Sequence, residues 1–398
     1  MPLGNGDVSA SIWVERDTGD MLLYLAKSDA FDINALPIKV GRLRLAFMPP
    51  LWRKGTTEPG WSQRLTPSDG SVVISAAGGY AVRVTVDANA PVLRVVASHP
   101  AGFKLEPRLE LYHHDSNWQR NVSRPYTALS TIGEFNASAP GNPTAFGSYC
   151  LMPFLEPDTV VPAAELATEL LQDSVVWFHR NEDTMATHGR PTYYQNVMKS
   201  HGLDPDAFPD PLLHRTFGAA MGGAGFVRAP GPDGNTMLSA TMAPGARSVL
   251  EVALHTEESA GSPAAWIAGL GNAVHVEAAR GTLAAKEAAH NATWLELWSR
   301  SFIDVSLPAG GGPDGSDDDH ADLGNPDNVE AVNDAYVWQR YLDLADGTLY
   351  LQLHNTCHHA SAAIEWTVPI VPRLLISPSR VATMVLAVSA LQVGTPGG

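Results

Sequence analysis

The 398-residue chain is poor in cysteine and in positive charge. Only Cys150 and Cys357 occur, and the formal net charge is -16, with 26 Lys+Arg against 42 Asp+Glu. Two isolated cysteines in segments of different character make neither a metal motif nor a disulfide framework. Because no basic run offers phosphate contacts, this charge balance argues against nucleic acid and against an anionic membrane as partners.

Long apolar runs and several catalytic motifs are also missing. The apolar stretch at residues 381–393 is shorter than the roughly 20 residues that a membrane-spanning helix needs. The opening MPLGNGDVSA has no charged n-region and no apolar h-region, so we expect no signal peptide in this chain. The sequence also shows no phosphate-binding glycine loop, no Gly-x-Ser-x-Gly elbow and no evident serine–histidine–aspartate arrangement.

What the chain does contain is a series of short strand-like runs. SASIWVE and MLLYLA flank the turn RDTGD and predict a β-hairpin. Many such runs separated by Gly, Pro, Asn and Asp predict a mainly β fold, an antiparallel sandwich and not a βαβ fold. The glycine-rich run at residues 222–225 is interpreted as a turn in a β-hairpin. Further strands are predicted at residues 39–47, 63–65, 71–76, 80–86, 92–98, 105–112, 173–179, 236–242 and 247–256.

One amphipathic stretch, residues 282–305, is predicted to be a helix around which the chain is organised. Because two tryptophans on one stripe need a broad apolar surface, we predict that they anchor this helix to the sandwich. Lys286 and Glu287 fall elsewhere on the helix surface. An ordinary buried helix without a functional role fits the pattern equally well. Flanking helices are predicted at residues 262–280 and 328–344. The apolar face carries Leu283, His290, Trp294, Leu297, Trp298 and Phe302.

Several segments, in order along the chain, resemble one protein family. They are LGNGD at 3–7, SIWVE at 11–15, LYLAKSDAFD at 23–32, VVWFHRN at 175–181, RTFG at 215–218, and positions within 290–301 and 339–341. On these segments the chain resembles the glycoside-hydrolase-like proteins called domain of unknown function 5703. The resemblance implies a galactose-mutarotase-like antiparallel β-supersandwich, then linker helices, then an (α/α)6 catalytic barrel related to the alpha-L-fucosidase type of inverting glycosidase.

The chain departs from that plan after the central helix. A barrel on the order of twelve helices needs several hundred residues, and only about 100 follow here. We therefore predict a β-supersandwich domain at residues 1–280, a linker helix at 281–307 and an acidic, Gly-rich linker at 308–327. Residues 328–398 are predicted to be a remnant of the first barrel helix and a short irregular, poorly ordered tail.

Two polar clusters are candidates for sugar binding. Lys27, Asp29 and Asp32 follow an apolar strand, and the resemblance implies that this loop points towards the sugar site. A carboxylate and an ammonium group at a strand end can bind hydroxyls through charge-assisted hydrogen bonds. A polar turn without a ligand explains the same residues equally well.

The second cluster, His179, Arg180 and Asn181, follows the strand that carries Trp177. An aromatic ring beside hydrogen-bonding side chains is what a pyranose site uses, with the ring stacked on the sugar. The alternative places Trp177 in the core.

No metal and no other cofactor are predicted. Adjacent strand residues point to opposite faces, which makes the pair His113 and His114 awkward as ligands. The run CHH at residues 357–359 lacks a second ligand cluster, and DDD at 317–319 lacks the spacing of a calcium loop.

The predicted function is that of a carbohydrate-active, glycoside-hydrolase-like N-terminal domain without its own catalytic centre. One alternative is a part of an active inverting glycoside hydrolase acting on a polysaccharide, and another is a purely structural or carbohydrate-binding module. The expected partner is an oligo- or polysaccharide. The resemblance implies secretion, and the catalytic residues are not identified.

Overall fold

The computed structural model of the chain describes residues 1–33, 37–52, 61–111, 157–166, 169–182, 193–231, 236–300, 302–304 and 326–345. These residues all belong to one compact unit, Met1–Asn355. The predicted irregular tail lies outside the described residues, as do both cysteines.

Two antiparallel sheets form most of the described structure. The strands are β1 (Pro2–Gly4), β2 (Val8–Val14), β3 (Met21–Lys27), β4 (Gly41–Met48), β5 (Ser62–Thr66), β6 (Ser71–Ala76), β7 (Tyr80–Val86), β8 (Val92–Ser98), β9 (Phe103–Glu110), β10 (Thr159–Val160), β11 (Val175–Arg180), β12 (Thr216–Gly222), β13 (Val227–Pro230), β14 (Thr236–Met242) and β15 (Arg247–Glu257). Sheet I has seven strands in the order β1-β2-β3-β4-β9-β14-β13, and sheet II has eight in the order β10-β11-β12-β15-β8-β7-β6-β5. The predicted mainly β, antiparallel sandwich is confirmed.

Four α-helices are described: α1 (Tyr193–Ser200), α2 (Pro263–Ala279), α3 (Leu283–Ser299) and α4 (Pro326–Ala345). Ser262 and Thr282 cap α2 and α3, because each side chain accepts a hydrogen bond from a backbone N–H in the first turn. The predicted central helix is confirmed but ends at Ser299. Phe302 lies beyond that end and is 59% exposed, so its predicted place on the buried stripe is wrong. No helix among the described residues combines the length and apolarity needed to cross a membrane.

The main core lies between the two sheets. In β7 the alternation YAVRVTV buries Tyr80, Val82, Val84 and Val86 while the intervening side chains are more exposed. Fully burying a side chain of this size stabilises the fold by about 1.5–3 kcal/mol. The alternation therefore identifies the face of β7 that packs against sheet I.

Sheet II is also covered on its outer face, by α2. Phe178 of β11 lies 5.3 Å from Trp266 of α2, measured between ring centroids. Val176 and Leu270 belong to the same apolar cluster. Because β11 is buried on both faces, all of its residues are buried and its sequence shows no clean alternation.

The glycine-rich run at residues 222–225 crosses from one sheet to the other. It follows β12 in sheet II and precedes β13 in sheet I, so the predicted turn is confirmed, but the predicted hairpin is wrong. A Cβ atom on Gly223 would lie 2.2 Å from the carbonyl oxygen of Val249, and Gly225 has a φ of +81°. This close approach and this backbone conformation explain why glycine occupies the crossing.

Two tryptophans dock α3 on sheet II, as predicted. Trp294 is 1% exposed, and its ring lies so close to Gly70 that a Cβ there would come within 2.4 Å. Trp298 donates its indole N–H to the carbonyl oxygen of Pro67 at 3.0 Å. Both contacts fall on the turn before β6, so α3 rests on the edge of the sandwich.

His290 adds polar contacts to this turn and to the turn between β7 and β8. Its Nδ1 accepts the N–H of Ala88 at 3.0 Å, and its Nε2 lies 2.7 Å from the carbonyl oxygen of Asp69. This pairing requires a neutral ring with the proton on Nε2. Burial lowers the pKa of His290, because the charged form loses hydration.

An ionic network fastens α2 and α3 to the outer face of sheet II. Arg94 of β8 pairs with Asp87 and with Glu277 of α2. Lys286 of α3 is 6% exposed, so its predicted surface position is wrong. Its Nζ lies 2.9 Å from Glu277 and 3.3 Å from Glu251 of β15. Burial alone would raise the pKa of Asp87, but the hydrogen bonds from Arg280, Asn89 and Arg94 hold it below its ordinary value.

Helix α4 closes on α3 and on the N-terminal strand. Tyr341 is fully buried, stacks on Trp294 at a centroid distance of 5.8 Å and donates its hydroxyl to the carbonyl oxygen of Pro2 at 2.9 Å. The predicted helix at residues 328–344 is confirmed. Its assignment as a remnant of a barrel stays a prediction, as do the four predicted segments, and residues 305–325 lie outside the described residues.

Candidate functional site

Four strand ends bring polar side chains together at one end of the sandwich. Strands β11, β12 and β15 are antiparallel neighbours, so the end of β11, the start of β12 and the end of β15 meet. The loop after β3 reaches them from sheet I through the contacts described below. We call this set the end cluster: Lys27, Asp29, Arg180, Asn181, Glu182, His214, Arg215 and Thr256.

Asp29 is the most constrained member of the end cluster. The Nζ atom of Lys27 lies 2.8 Å from its carboxylate and 3.0 Å from that of Asp7. The hydroxyl of Thr256 donates to Asp29 Oδ1 at 2.8 Å. Arg215 donates to the backbone carbonyl oxygen of Asp29 at 3.0 Å. The side chain of Asp29 is nevertheless 39% exposed, so the carboxylate is held in place and open to solvent.

Asn181 ties the loop after β3 to sheet II. Its Nδ2 donates to the carbonyl oxygens of Phe31 and Leu212, both at 2.9 Å. Asn181 is 1% exposed and Asp32 is fully buried. These two predicted sugar-binding residues therefore offer a ligand almost no surface, and the two bonds of Asn181 position the loop.

Arg180 holds the second exposed carboxylate. Its guanidinium donates to Thr216 Oγ1 at 3.0 Å and to the carbonyl oxygen of Ala260 at 2.8 Å, and it pairs with Glu182. Glu182 also lies 3.3 Å from His214 Nδ1, and these two side chains are 47% and 44% exposed. The pair stands at the rim of the end cluster.

The backbone of His214 adopts a left-handed conformation with a φ of 64°. For a residue other than glycine this costs on the order of 1 kcal/mol or more, and such residues concentrate at ligand sites and turns. The strain places the imidazole beside Glu182 at the point where the chain enters β12.

Two of the predicted site residues lie inside the sandwich and not in the end cluster. Trp177 has no exposed surface, and its indole N–H donates to the carbonyl oxygen of Val40 at 2.7 Å. His179 Nδ1 lies 3.0 Å from Asp158 Oδ1, and its ring lies 5.2 Å from that of Phe217. The indole of Trp177 therefore offers no face to a sugar in this structure, which corrects the stacking role predicted for it.

The sequence reasoning did not assign a role to His214, Arg215 or Thr256. Each lies at a strand end, but their connection to Asp29 or Glu182 spans long sequence separations. Strand register supplies the missing signal: once Arg180 pairs with Thr216, Asn181 and Arg215 must be neighbours.

Three buried polar atoms of the end cluster are unsatisfied. Asn181 Oδ1, His214 Nδ1 and Arg215 Nε have no hydrogen-bond partner among the residues that the structure describes. A buried polar atom left unpaired costs about 1–3 kcal/mol. A bound water or a group of a ligand would remove that cost.

The described residues contain no group of three or more side chains suited to holding a metal ion. The pair His113 and His114 and the runs at residues 317–319 and 357–359 lie outside the described part of the chain. Within that part, the end cluster offers hydrogen-bond acceptors on Asp29 and Glu182. Both side chains are open to water.

Comparison with known proteins supplies a family and little more. The profile of a family described as Domain of unknown function (DUF5703) matches residues 1–303. No curated protein matches the chain. Among solved structures, a putative kojibiose phosphorylase from human microbiome is 8% identical, with a TM-score of 0.34, over 75% of this chain and 35% of that chain. The chain thus spans about a third of that protein, and a likeness this low says nothing about activity.

Proposed function

The chain belongs to the family described as Domain of unknown function (DUF5703), and on this premise we propose that it is a carbohydrate-contacting β-sandwich domain without a catalytic centre of its own. The end cluster is the proposed contact surface. The family resemblance to glycoside-hydrolase-like proteins supports the choice of a carbohydrate as ligand.

The observation that carries the proposal is the fixed, solvent-open carboxylate of Asp29. Lys27, Thr256 and Arg215 hold this residue from three directions. A sugar hydroxyl that donates to a carboxylate forms a charge-assisted hydrogen bond. Because the acceptor is already ordered, binding loses little side-chain entropy.

Exposed and buried residues of the end cluster have different proposed roles. Asp29, Glu182 and His214 are at least a third exposed and are proposed to contact the sugar. Lys27 and Arg180 are at most 9% exposed in their side chains and are proposed to orient the two carboxylates.

The absence of a catalytic role follows from the chemistry of glycoside cleavage. The reaction needs an acid to protonate the leaving oxygen and a second carboxylate for the water or the anomeric carbon. Asp29 and Glu182 are 39% and 47% exposed in their side chains, so water is not excluded from either. We therefore expect weak sugar binding and no turnover.

A purely structural role is the second candidate. Asn181 and Arg215 both donate to backbone carbonyls of the loop after β3. These hydrogen bonds connect sheet I to sheet II. On this alternative the end cluster only holds the two sheets together, and replacing Asp29 changes stability alone.

Titration with methyl galactosides and methyl L-fucosides, followed by amide chemical shifts, separates the two candidates. We expect millimolar binding, weakened about tenfold by Asp29→Asn, since a hydrogen bond to a charged group contributes about 1.5–3 kcal/mol. The matched control is Asp173→Asn, an exposed aspartate at the other end of β11. Equal binding by parent, Asp29→Asn and Asp173→Asn would leave the structural role.

An aryl-glycoside panel tests the alternative of an active enzyme. We expect no sustained turnover by the purified chain. Turnover that disappears in Asp29→Asn and persists in Asp173→Asn would mean that the sandwich carries a catalytic acid, and would contradict the proposal.

A further inference from the structure

The charges of the end cluster are separated by depth. The side chains of Asp29 and Glu182 are 39% and 47% exposed, and Glu258 beside Arg215 is 83% exposed. The cations lie beneath them: Lys27, Arg180 and Arg215 are 7%, 9% and 12% exposed. A ligand that approaches from solvent therefore meets carboxylate oxygens first.

Two of the three buried cations, Lys27 and Arg180, are already engaged. Lys27 binds the carboxylates of Asp7 and Asp29. Arg180 binds Glu182, Thr216 and a backbone carbonyl. Neither side chain can turn towards an anionic ligand without leaving a buried partner unpaired, which is costly.

A second, independent observation concerns two buried polar atoms of the end cluster. Asn181 is 1% exposed, both of its amide hydrogens are donated to carbonyls, and its Oδ1, an acceptor, has no partner within the described residues. The Nε atom of Arg215, a donor, is likewise unpartnered there. A hydroxyl group can donate to the first atom and accept from the second, whereas an ionised carboxylate can only accept.

Resting on the proposed function, we infer that the end cluster selects neutral sugars over uronic acids and other anionic sugars. Neutral pyranoses bring only hydroxyls to Asp29 and Glu182. A uronic acid places its carboxylate against the exposed rim, where like charges repel. Lys27 and Arg180, which contact the same carboxylates, oppose a divalent cation as the occupant.

The experiment compares matched pairs of ligands on one protein. Methyl galactoside is titrated against methyl galacturonate, and methyl glucoside against methyl glucuronate, with amide shifts as the readout. Because the ratio of the two dissociation constants is measured on the same sample, the fraction of folded protein cancels. We expect the uronate of the pair that binds to be at least about tenfold weaker at low salt, and the gap to shrink as salt screens the rim.

The variants Glu182→Gln and Asp29→Asn, with Asp173→Asn as control, test the cause. Glu182→Gln and Asp29→Asn should each lower the ratio of the uronate dissociation constant to that of the neutral sugar by several-fold. Asp173→Asn should leave this ratio unchanged. Uronates that bind as tightly as neutral sugars would overturn this inference and leave the proposed function intact. If no sugar of either class shifts an amide, the proposed function fails with it.

Discussion

Replacing Trp294 by alanine should undo the docking of α3. The side chain is 1% exposed, stacks on Tyr341 at a centroid distance of 5.8 Å and fills the space over Gly70. Truncating a buried tryptophan costs about 3–5 kcal/mol through lost transfer energy and the cavity left behind. We therefore expect Trp294→Ala to lower the free energy of unfolding by about that amount.

Two further variants of α3 refine this prediction. The indole N–H of Trp294 has no partner among the described residues, so Trp294→Phe should cost clearly less than Trp294→Ala. The adjacent Leu295 is 70% exposed, and Leu295→Ala should stay within about 0.5 kcal/mol of the parent.

Urea unfolding monitored by far-ultraviolet circular dichroism measures all three variants at a fixed slope m. A Trp294→Ala midpoint equal to that of Leu295→Ala would place this face of α3 in solvent and refute the docking. A loss confined to fluorescence, without a shift of the midpoint, would refute it equally.

Three other predictions concern charge and hydrogen bonding around α2 and α3. Arg94→Met should cost up to about 3–5 kcal/mol, because it removes the most buried of the cations that pair with Asp87 and Glu277 and leaves them only Arg280 and Lys286. Arg300→Met at an exposed pair should cost less than about 1 kcal/mol; urea melts compare the two variants. The folded-state pKa of His290 lies below its ordinary value of 6.5, so its contribution to stability is complete above that value and is lost as pH falls through it. His290→Ala should therefore flatten the dependence of the unfolding midpoint on pH below about 6.5, and an unchanged slope would contradict the neutral pairing. Trp298→Phe should lose about 1 kcal/mol with the hydrogen bond to Pro67, and a neutral result in the same melts would argue against that bond.

Several strands were predictable from the sequence. Strands β6, β7, β8 and β14 agree with the predicted residues at both ends, and in β7 the strict alternation of apolar and polar residues also marks the face on the core. Strand β12 was not predicted as a strand. Its sequence TFGAAMG is buried except at its last residue, so no alternation distinguishes it from any other apolar run.

The candidate site was predictable only in part, for a related reason. Lys27 and Asp29 could be placed at a strand end from the local pattern. The partners that decide their roles, Thr256 and Arg215, are distant in sequence and are reached through strand pairing. Trp177 was a candidate because an aromatic beside polar residues suits a sugar. Because both faces of β11 are buried, Trp177 cannot take that role. The periodicity of the sequence does not reveal this burial.

The most direct test of the proposed function is a residue-resolved titration of the whole chain with a neutral methyl glycoside. We expect the amide shifts to concentrate at Asp29, Glu182 and His214, with no change around Asp173 at the other end of β11. Shifts that are absent, or that lie elsewhere on the sandwich, would contradict the assignment of the end cluster as the carbohydrate-contacting surface.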